Sequence, residues 1–387
     1  MIFSNKLLKE IMGGSPMRIG LSVLLGFVIG SIFMAAFNEN VVATYATFFS
    51  TPGDTFIVAG NTIVDGYTAL FNGSIINLQA DNPVSMFRPI TETLRLAAPL
   101  IMAGLGVALG FRVGLFNVGG NGQLIMGVLG ATWVSTRMQL PYGIHMIVAV
   151  LVAIVFASAT GALVGYLKAK TGAHEVIVTI MFNYVAINLF IYFLRQPWLL
   201  LEKGGGGNPK SDPPAVTAQL PHLLGDAFDL NLGIILAIIS AVVYWWLMER
   251  STIGYRFRMV GHNASAAKAA GISVEKTFVL AMAVSAAFIG LAGANQGLGT
   301  DSGLSDSVAA NIGFDAITVA LLGGSRARGV VIAGLLFGAF KAGSPAMQLT
   351  GASPEVLGII QALIVLFVAA PPLIKAIFKL PEVEVKK

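Results

Sequence analysis

The sequence predicts an all-α membrane protein, a polytopic helical bundle of about ten transmembrane helices, some of them broken or half-length. Of its 387 residues, 56% are hydrophobic and 11% are charged, whereas soluble domains have roughly 25% charged residues. Uncharged apolar stretches recur along the chain, and most are long enough to cross about 30 Å of hydrocarbon as a helix. A stretch rich in glycine and carboxamides, 114–123, interrupts this pattern, as a broken helix would.

The amino-terminal part contains one predicted span, 17–37, followed by an outer segment, 38–88. The span is longer than the apolar core of a signal peptide and lacks a small-residue cleavage site, so we expect it to be retained. The outer segment has a mixed composition, and an amphipathic helix near 67–76 could lie along the membrane surface.

The rest of the chain carries the other predicted spans. Those long enough to cross a bilayer are 89–110, 115–138, 144–167, 176–194, 231–248, 277–298 and 356–374. Two shorter stretches, 307–322 and 330–340, raise the count to ten, although the second covers only about half a bilayer. A single re-entrant hairpin in this region is the alternative.

The distribution of positive charge predicts that both termini are cytoplasmic. Most of the 24 Lys and Arg residues fall in loops that this topology places inside, as the positive-inside rule requires. A loop rich in glycine and proline, 195–230, is then outside, and the basic loop 250–276 is inside.

We treat 1–387 as one transmembrane domain. Its two helix groups, 89–194 and 277–374, have four spans each and start on opposite faces, so an inverted repeat is a hypothesis.

Several classes of chemistry are excluded by what the sequence lacks. There is no cysteine, and the four histidines are too widely spaced for a metal site. No Gly-Lys dipeptide occurs, so the chain has no P-loop and is not expected to hydrolyse nucleotides. No catalytic triad or carboxylate pair is recognisable, and the net charge of +5 is too dispersed for nucleic-acid binding. We therefore expect neither an enzyme nor a cofactor.

The interrupted stretch 114–123 is the candidate solute path. Glycine lets the backbone leave helical geometry, and carboxamides offer hydrogen bonds without a charge to desolvate. A broken helix that lines the path of a neutral polar solute would explain this composition, and a loop with a glycine-rich turn is the simpler alternative. The candidate path residues are Asn117, Gly119, Gly120, Asn121, Gln123, Asn183 and Gln296.

The loop 250–276 is the candidate contact with a partner protein. Asn263 is a favourable helix N-cap, and Gly271 is a favourable residue for the position after a helix end. Between them a short helix of small residues, 264–270, is predicted, which could fit a groove in another protein. A simple connector helix is the alternative. The candidate coupling residues are Gly261, His262, Asn263, Ala266, Ala267, Lys268 and Gly271.

Four motifs give the sequence a resemblance to a known family. They are GLFNVGGNGQ at 114–123, HEVIVTIMFNY at 174–184, the pattern GHNxxAAxxAGI at 261–272 and GFDAI at 313–317. In this order they resemble permease subunits of ABC importers, in the branched-chain amino acid/ribose-type permease family, and most closely its simple-sugar and nucleoside branch. The resemblance covers the chain from Pro89 to the C-terminus.

The resemblance implies a permease subunit of an ATP-driven importer in the membrane of a bacterial cell. A second permease would pair with it, as a heterodimer. Cytosolic ATP-binding subunits would dock on the loop 250–276 and hydrolyse ATP, and an extracytoplasmic substrate-binding protein would deliver the solute. Nucleosides are the leading substrate class, with ribose or other simple sugars next, because the polar residues expected at membrane depth are neutral.

The sequence departs from the family pattern at three positions. Asn121 stands where glutamate is usual, His174 stands where asparagine is usual, and Gln296 lies near a frequent glutamate. The change at position 121 removes a carboxylate from the candidate path, which suits a neutral solute. Two alternatives of another class remain, an ion-coupled secondary transporter and an exporter or scaffold subunit.

Overall fold

The computed structural model describes residues 15–196, 210–225, 227–300 and 302–379. Within these ranges the chain forms α-helices and two short 3-10 helices, Tyr45–Thr47 and Asp306–Ala309, and no β-strand. The α-helices are α1 Ser15–Phe37, α2 Glu39–Thr44, α3 Pro52–Ser74, α4 Pro83–Arg112, α5 Gly120–Arg137, α6 Ile144–Thr171, α7 Glu175–Leu194, α8 Gly233–Arg250, α9 Thr252–His262, α10 Ala264–Ala269, α11 Val274–Leu298, α12 Ile312–Leu322, α13 Ala327–Leu349, α14 Glu355–Ala369 and α15 Pro371–Phe378. The predicted all-α fold class is confirmed.

In the described part of the chain, seven helices are long and apolar enough to cross a membrane, namely α1, α4, α6, α7, α8, α11 and α13. α14 and α15 form one further span if this pair, bent by 91°, is counted as one. Two predicted spans, 115–138 and 307–322, are shorter as helices. The first is α5, which has 18 residues and begins only at Gly120, and the second is α12, which has 11 residues. The predicted multi-pass bundle with broken or half-length helices is confirmed.

The expectation that 330–340 covers only half a bilayer is wrong. α13 runs for 23 residues, from Ala327 to Leu349, and is a full-length candidate span. The apolar run in the sequence stops at Lys341, but the helix continues and even contains Pro345. A charge ends an apolar run without ending a helix, and proline is tolerated in membrane helices where neighbours satisfy the freed backbone groups.

The helices separate into two compact units, and the first consists of the described residues up to Ile90 and from Phe340 onward. α1 packs on α14 through Gly30, where an added Cβ would be only 2.2 Å from Cγ1 of Ile360. α3 packs on α1, and the hydroxyl of Tyr67 donates a hydrogen bond of 2.7 Å to the Phe27 carbonyl. Because α3 has 23 residues, the amphipathic helix expected at 67–76 overlaps only the end of a much longer helix.

The second unit, Thr91–Ala339, contains every candidate path and coupling residue. Its centre is α11, which packs on α5 and α6. Small residues allow this close packing: an added Cβ on Gly161 of α6 would be 2.3 Å from the carbonyl oxygen of Met282, and one on Gly290 would be 2.6 Å from Cβ of Ala157. Membrane helices associate through such close backbone contacts, because burial from water does not drive them together.

We expect Gly161→Val to lower the melting temperature of the detergent-purified chain. The new side chain would start against a backbone carbonyl of α11 that cannot move aside, and overpacking of this kind costs about 1–3 kcal/mol. Gly358→Val on α14 is the matched control, because nothing lies within 4 Å of an added Cβ there. Equal melting temperatures for the two variants would contradict the packing described for α6 and α11.

The two predicted helix groups share an order of helix lengths. In the first group α4, α5, α6 and α7 have 30, 18, 28 and 20 residues. In the second, α11, α12, α13 and α14 have 25, 11, 23 and 15 residues. In both groups a short helix follows a long one across a break, and the inverted repeat stays a prediction.

The region predicted as an irregular loop, 195–230, contains no helix in its described part. Backbone hydrogen bonds hold it to the ends of two helices: the amide of Ala215 donates to the Ser135 carbonyl at 3.0 Å, and the amide of Leu220 donates to the Leu298 carbonyl at 2.9 Å. The loop is therefore irregular but fixed against α5 and α11. Its residues 197–209 and 226 lie outside the described ranges.

Candidate functional site

The break between α4 and α5 is a tight turn formed by residues 113–119. The carbonyl oxygen of Gly110 accepts hydrogen bonds from the amides of Val113 and Leu115, at 3.0 and 2.9 Å. Gly114 has a φ of +78°, which glycine adopts without the steric cost that a side chain would add. The backbone therefore leaves helical geometry here and resumes it at the start of α5.

Asn117 and Gln123 form a closed hydrogen-bond network behind this break. Asn117 Nδ2 donates to Gln123 Oε1 at 2.9 Å and to Ser285 Oγ at 3.0 Å, and Gln123 Nε2 donates to Asn117 Oδ1 at 3.2 Å. Asn117 Oδ1 also accepts from the amide of Gly119 at 3.1 Å. Asn117 is 0% exposed and Gln123 is 2% exposed. Their hydrogen bonds are satisfied within the protein, so they hold the shape of the break.

Asn183 attaches α7 to the same break. Its Oδ1 accepts from the amide of Gly122 at 2.8 Å, and its Nδ2 donates to the Val118 carbonyl at 3.0 Å. Glycine permits this approach, because an added Cβ on Gly122 would be 3.0 Å from the Asn183 Cα, and one on Gly119 would be 3.0 Å from Cβ of Thr179. The predicted glycines therefore let α7 lie directly against the turn.

The N-termini of α5 and α12 meet beside this break. Asn121, in the first turn of α5, accepts a hydrogen bond of 2.8 Å at Oδ1 from the amide of Gly313, in the first turn of α12. An added Cβ on Gly120 would be 2.9 Å from the Gly313 carbonyl oxygen, so the crossing requires glycine. Just before α12, Ala310 and Asn311 have φ angles of 41° and 58°, and this left-handed pair turns the chain into the helix. Helix N-termini carry unpaired amides and a positive partial charge, which favours oxygen atoms of a solute.

A cavity of about 420 Å³ lies beside these two N-termini. It is bounded by α5, α7, the 3-10 helix Asp306–Ala309 and the start of α12. The lining residues are Asn121, Ile125, Ile180, Asn183, Tyr184, Ile187, Asp306, Ser307, Ala309, Ala310, Asn311 and Phe314. Its volume falls within the roughly 300–1,000 Å³ of small-molecule binding sites.

The polar groups in this cavity are mostly uncharged amides and hydroxyls. Among the described residues, Nδ2 of Asn121 and the side chain of Asn311 have no hydrogen-bond partner, which leaves them available to a solute. Asp306 adds one exposed carboxylate. Gln296 is not part of the lining; its Nε2 donates to the Val308 carbonyl at 3.2 Å and so holds the 3-10 helix in place.

α7 has a polar and aromatic stripe on its exposed face. Tyr184 and Tyr192 are 63% and 58% exposed, and between them Asn188 is exposed, with its Nδ2 donating to the Tyr184 carbonyl at 2.7 Å. These residues are four positions apart, so they share one side of the helix. Polar side chains that face lipid are unfavourable, and such a face is typical of a pathway or a protein interface.

The structure brings only part of the predicted path set to the cavity. Asn121 and Asn183 line it, whereas Asn117, Gln123 and Gln296 support its walls from behind. Sequence reasoning missed Asp306 and Asn311, because a short polar segment between two helices has no periodicity to interpret. The motif GFDAI at 313–317 begins next to them, and the short predicted span 307–322 includes Asn311, so two signals pointed to this region without identifying the lining residues.

The caps predicted for the short helix 264–270 are confirmed. Asn263 Oδ1 accepts from the amide of Ala266 at 3.0 Å, and Gly271 has a φ of +81°. The amide of Ile272 donates to the Ala267 carbonyl at 3.0 Å, which closes the C-terminal turn. The helix α10 ends at Ala269, one residue before the predicted end.

The candidate coupling residues differ in exposure. Ala267 is completely buried within the chain, so it is not available to a partner. The others are exposed, namely Gly261, His262, Asn263, Ala266, Lys268 and Gly271.

Gly261, at the end of α9, lies against the turn that precedes the Asn117 network. An added Cβ on Gly261 would be 2.2 Å from the Arg112 carbonyl oxygen, and one on Gly114 would be 3.6 Å from the Gly261 Cα. Glu249, near the end of α8, forms ion pairs with Arg112 and, at 3.9 Å, with Arg258 of α9. The loop 250–276 therefore contacts the break through the backbone of Gly261. Glu249 also links Arg258 of this loop to Arg112 by ion pairs.

Comparison with known proteins identifies the family. The family profile described as "Branched-chain amino acid transport system / permease component" matches residues 89–369. The guanosine ABC transporter permease protein NupP of Bacillus subtilis is 38% identical over 316 residues, which are 81% of this chain and 88% of the relative. The nucleoside ABC transporter permease protein NupB of Lactococcus lactis is 31% identical over 90% of this chain and 89% of its own length. The glucose ABC transporter permease protein TsgB13 of Haloferax volcanii is 30% identical over 92% of this chain and 86% of its own length.

Each of these three organisms has a second, more distant relative of this chain, and in Haloferax volcanii it is the putative glucose permease TsgC13, 26% identical over 64% of the chain. The guanosine permease NupQ of Bacillus subtilis is 27% identical over 64% of the chain, and the nucleoside permease NupC of Lactococcus lactis is 24% identical over 65%. No solved structure matches the chain. The profile match covers most of the sequence and agrees with the four motifs, so this chain belongs to the family of permease components of branched-chain amino acid-type ABC transport systems.

Proposed function

We propose that this chain is the permease subunit of an ATP-driven importer of nucleosides, and that the cavity beside the N-termini of α5 and α12 is part of the solute path. The observation that carries the proposal is the unpaired side-chain nitrogen Nδ2 of Asn121. It lies in a cavity that adjoins the exposed polar stripe of α7. The relatives named for guanosine and nucleosides support the substrate class. The relative named for glucose keeps simple sugars as the second candidate.

The chemistry of the cavity suits a neutral solute with many hydroxyl and amide groups. Asn121 and Asn311 can donate to and accept from ribose hydroxyls or the edge of a base, without a charge to desolvate. The exposed ring of Phe314 offers a face on which a base can stack. Asn117 and Gln123 act indirectly, by holding the turn that positions Asn121.

A second permease subunit is proposed to complete the path. The exposed stripe of Tyr184, Asn188 and Tyr192 would face lipid in a single chain, and a partner would cover it. Two organisms each have two related permeases named for guanosine or nucleosides, which supports a heterodimer.

The remaining partners follow from the proposed topology. The basic loop that includes α9 and α10 would be cytoplasmic, by the positive-inside rule, and would contact an ATP-binding subunit. Both termini would then be cytoplasmic, in a bacterial cell membrane. The fixed part of the loop 195–230 would face the extracytoplasmic substrate-binding protein. ATP hydrolysis is assigned to the partner, because this chain has no P-loop.

Uptake by the complete complex in proteoliposomes tests the function. We expect labelled guanosine uptake that requires ATP and the binding protein and that continues when ionophores collapse the ion gradients. Excess unlabelled nucleosides should compete, whereas ribose and glucose should not. Uptake that follows a proton or sodium gradient without ATP would indicate a secondary transporter, and competition by sugars alone would overturn the nucleoside assignment.

Single-cysteine labelling tests the path itself, since the chain contains no cysteine. In the assembled complex we expect Asn121→Cys and Asn311→Cys to react with small water-soluble thiol reagents, at rates that change with substrate or nucleotide. Asn117→Cys should stay unreactive, because Asn117 is 0% exposed. Ile147→Cys should also stay unreactive, because Ile147 is exposed on a candidate membrane span and would face lipid, which excludes a water-soluble reagent. Inertness of Asn121→Cys in every state would contradict the proposed path.

A further inference from the structure

A second cavity, of about 600 Å³, lies between α8 and α13. α8 contributes Ile238, Ala241, Val242 and Trp245, which recur with the three- and four-residue spacing of one helix face. α13 contributes its first turns, including Val331 and Ile332. Apart from Arg328, the lining is apolar or aromatic, and the cavity opens to the surface as a groove.

One end of this groove is cationic. Arg328 belongs to the lining, and the guanidinium of Arg250 lies 5.7 Å from the centre of the Trp245 ring. Both arginines are exposed, and neither has a carboxylate partner among the described residues. The Tyr244 hydroxyl donates at 2.8 Å to the carbonyl of Ser325, the residue two positions before α13, so the arginine-bearing ends of the two helices are adjacent.

The same end coincides with the ends of two candidate membrane spans. One span closes at Arg250 and the other opens at Ala327. Arginine and tryptophan are the residues that occupy the level of lipid head groups, and basic sites between transmembrane helices bind anionic head groups. From this end the groove continues along α8 as far as Ile238, past the middle of that span.

We propose that this groove binds one phospholipid with an anionic head group, such as phosphatidylglycerol. The phosphate would lie between Arg250 and Arg328, and an acyl chain would lie along the apolar groove. Charge complementarity selects this occupant, because both arginines lack a counter-ion in the described chain and are placed at one end only. A second permease subunit fits less well, because the exposed polar residues that need a protein partner are on α7.

Native mass spectrometry of the full chain released from nanodiscs tests this proposal. With nanodiscs of mixed phosphatidylglycerol and phosphatidylcholine, we expect one phosphatidylglycerol to remain bound. Affinity for it should fall about thirtyfold in the double variant Arg250→Gln/Arg328→Gln, because each arginine contributes to the attraction of an anionic head group. The double variant Arg256→Gln/Lys276→Gln is the charge-matched control and should retain the lipid, because neither residue belongs to the groove.

A variant of the apolar part separates the head-group site from general surface charge. Ile238→Asp should also release the lipid, although it leaves both arginines in place. Equal retention in the parent and in the arginine double variant would overturn the proposal. So would a cross-link from Ile332→Cys to the second permease in the assembled complex, since the groove would then be a subunit interface.

Discussion

A transporter with Gly313→Ala is expected to lose most of its uptake. The added Cβ would lie 2.1 Å from the backbone nitrogen of Asn121 and 2.3 Å from the carbonyl carbon of Gly120. Both neighbours are backbone atoms in the first turn of α5, so the N-termini of α5 and α12 must move apart. The hydrogen bond from the Gly313 amide to Asn121 Oδ1 would be strained with them. Overpacking costs about 1–3 kcal/mol, which corresponds to a change of about fivefold to 150-fold in the population of the correct geometry.

Uptake of labelled nucleoside by the reconstituted complex measures this effect, together with the melting temperature of the purified chain. Gly20→Ala on α1 is the control, because nothing lies within 4 Å of its added Cβ and it is also a helical glycine. Parent-like uptake by Gly313→Ala would show that the crossing of the two helices is not needed for transport.

The second large effect is expected from Ala266→Trp, which should reduce recovery of the complex with the ATP-binding subunit. Ala266 is exposed on a short helix that is capped at both ends by Asn263 and Gly271, so a bulky side chain there projects outward. A groove that accepts a helix of small residues would be blocked. We expect unchanged stability of the isolated chain, and loss of both ATPase stimulation by loaded binding protein and uptake.

Ala267→Trp distinguishes docking from folding. Ala267 is completely buried inside the chain. This variant should therefore lower the free energy of unfolding of the permease itself by about 1–3 kcal/mol, and its melting temperature should fall with it. Copurification with the ATP-binding subunit and thermal unfolding measure the two effects separately. If Ala266→Trp assembles and transports like the parent, α10 is a connector, and the segment Lys168 to Glu175 becomes the next candidate for docking.

We expect the contact of Gly261 with the α4–α5 turn to connect the candidate coupling loop with the candidate solute path. Movement of the coupling loop would reach the Arg112 carbonyl directly, and from there the turn that holds Asn117. The ion pairs of Glu249 with Arg112 and Arg258 link α8 and α9 to the same place. Gly261 is therefore a contact point between α9 and the α4–α5 turn, and not only a candidate contact for the partner.

Sequence reasoning found features that local physics determines. The low charge and long apolar runs indicate a membrane bundle, because unsatisfied backbone groups and charges are unfavourable in lipid. The caps of α10 were predictable from Asn263 and Gly271, since capping depends on a few neighbouring residues. The break before α5 was predictable from its glycines and carboxamides, which do not suit a lipid-facing helix.

Tertiary structure alone decided what each polar residue in the break does. Asn117, Asn121 and Gln123 are similar in the sequence, yet Asn117 and Gln123 satisfy each other in the interior while Asn121 faces a cavity. That division depends on Ser285, Asn183 and Gly313, which come from three other helices. Composition and spacing can show that a segment needs hydrogen-bond partners. Only the packing of distant helices determines which partners are available, and therefore which side-chain amide is left unpaired.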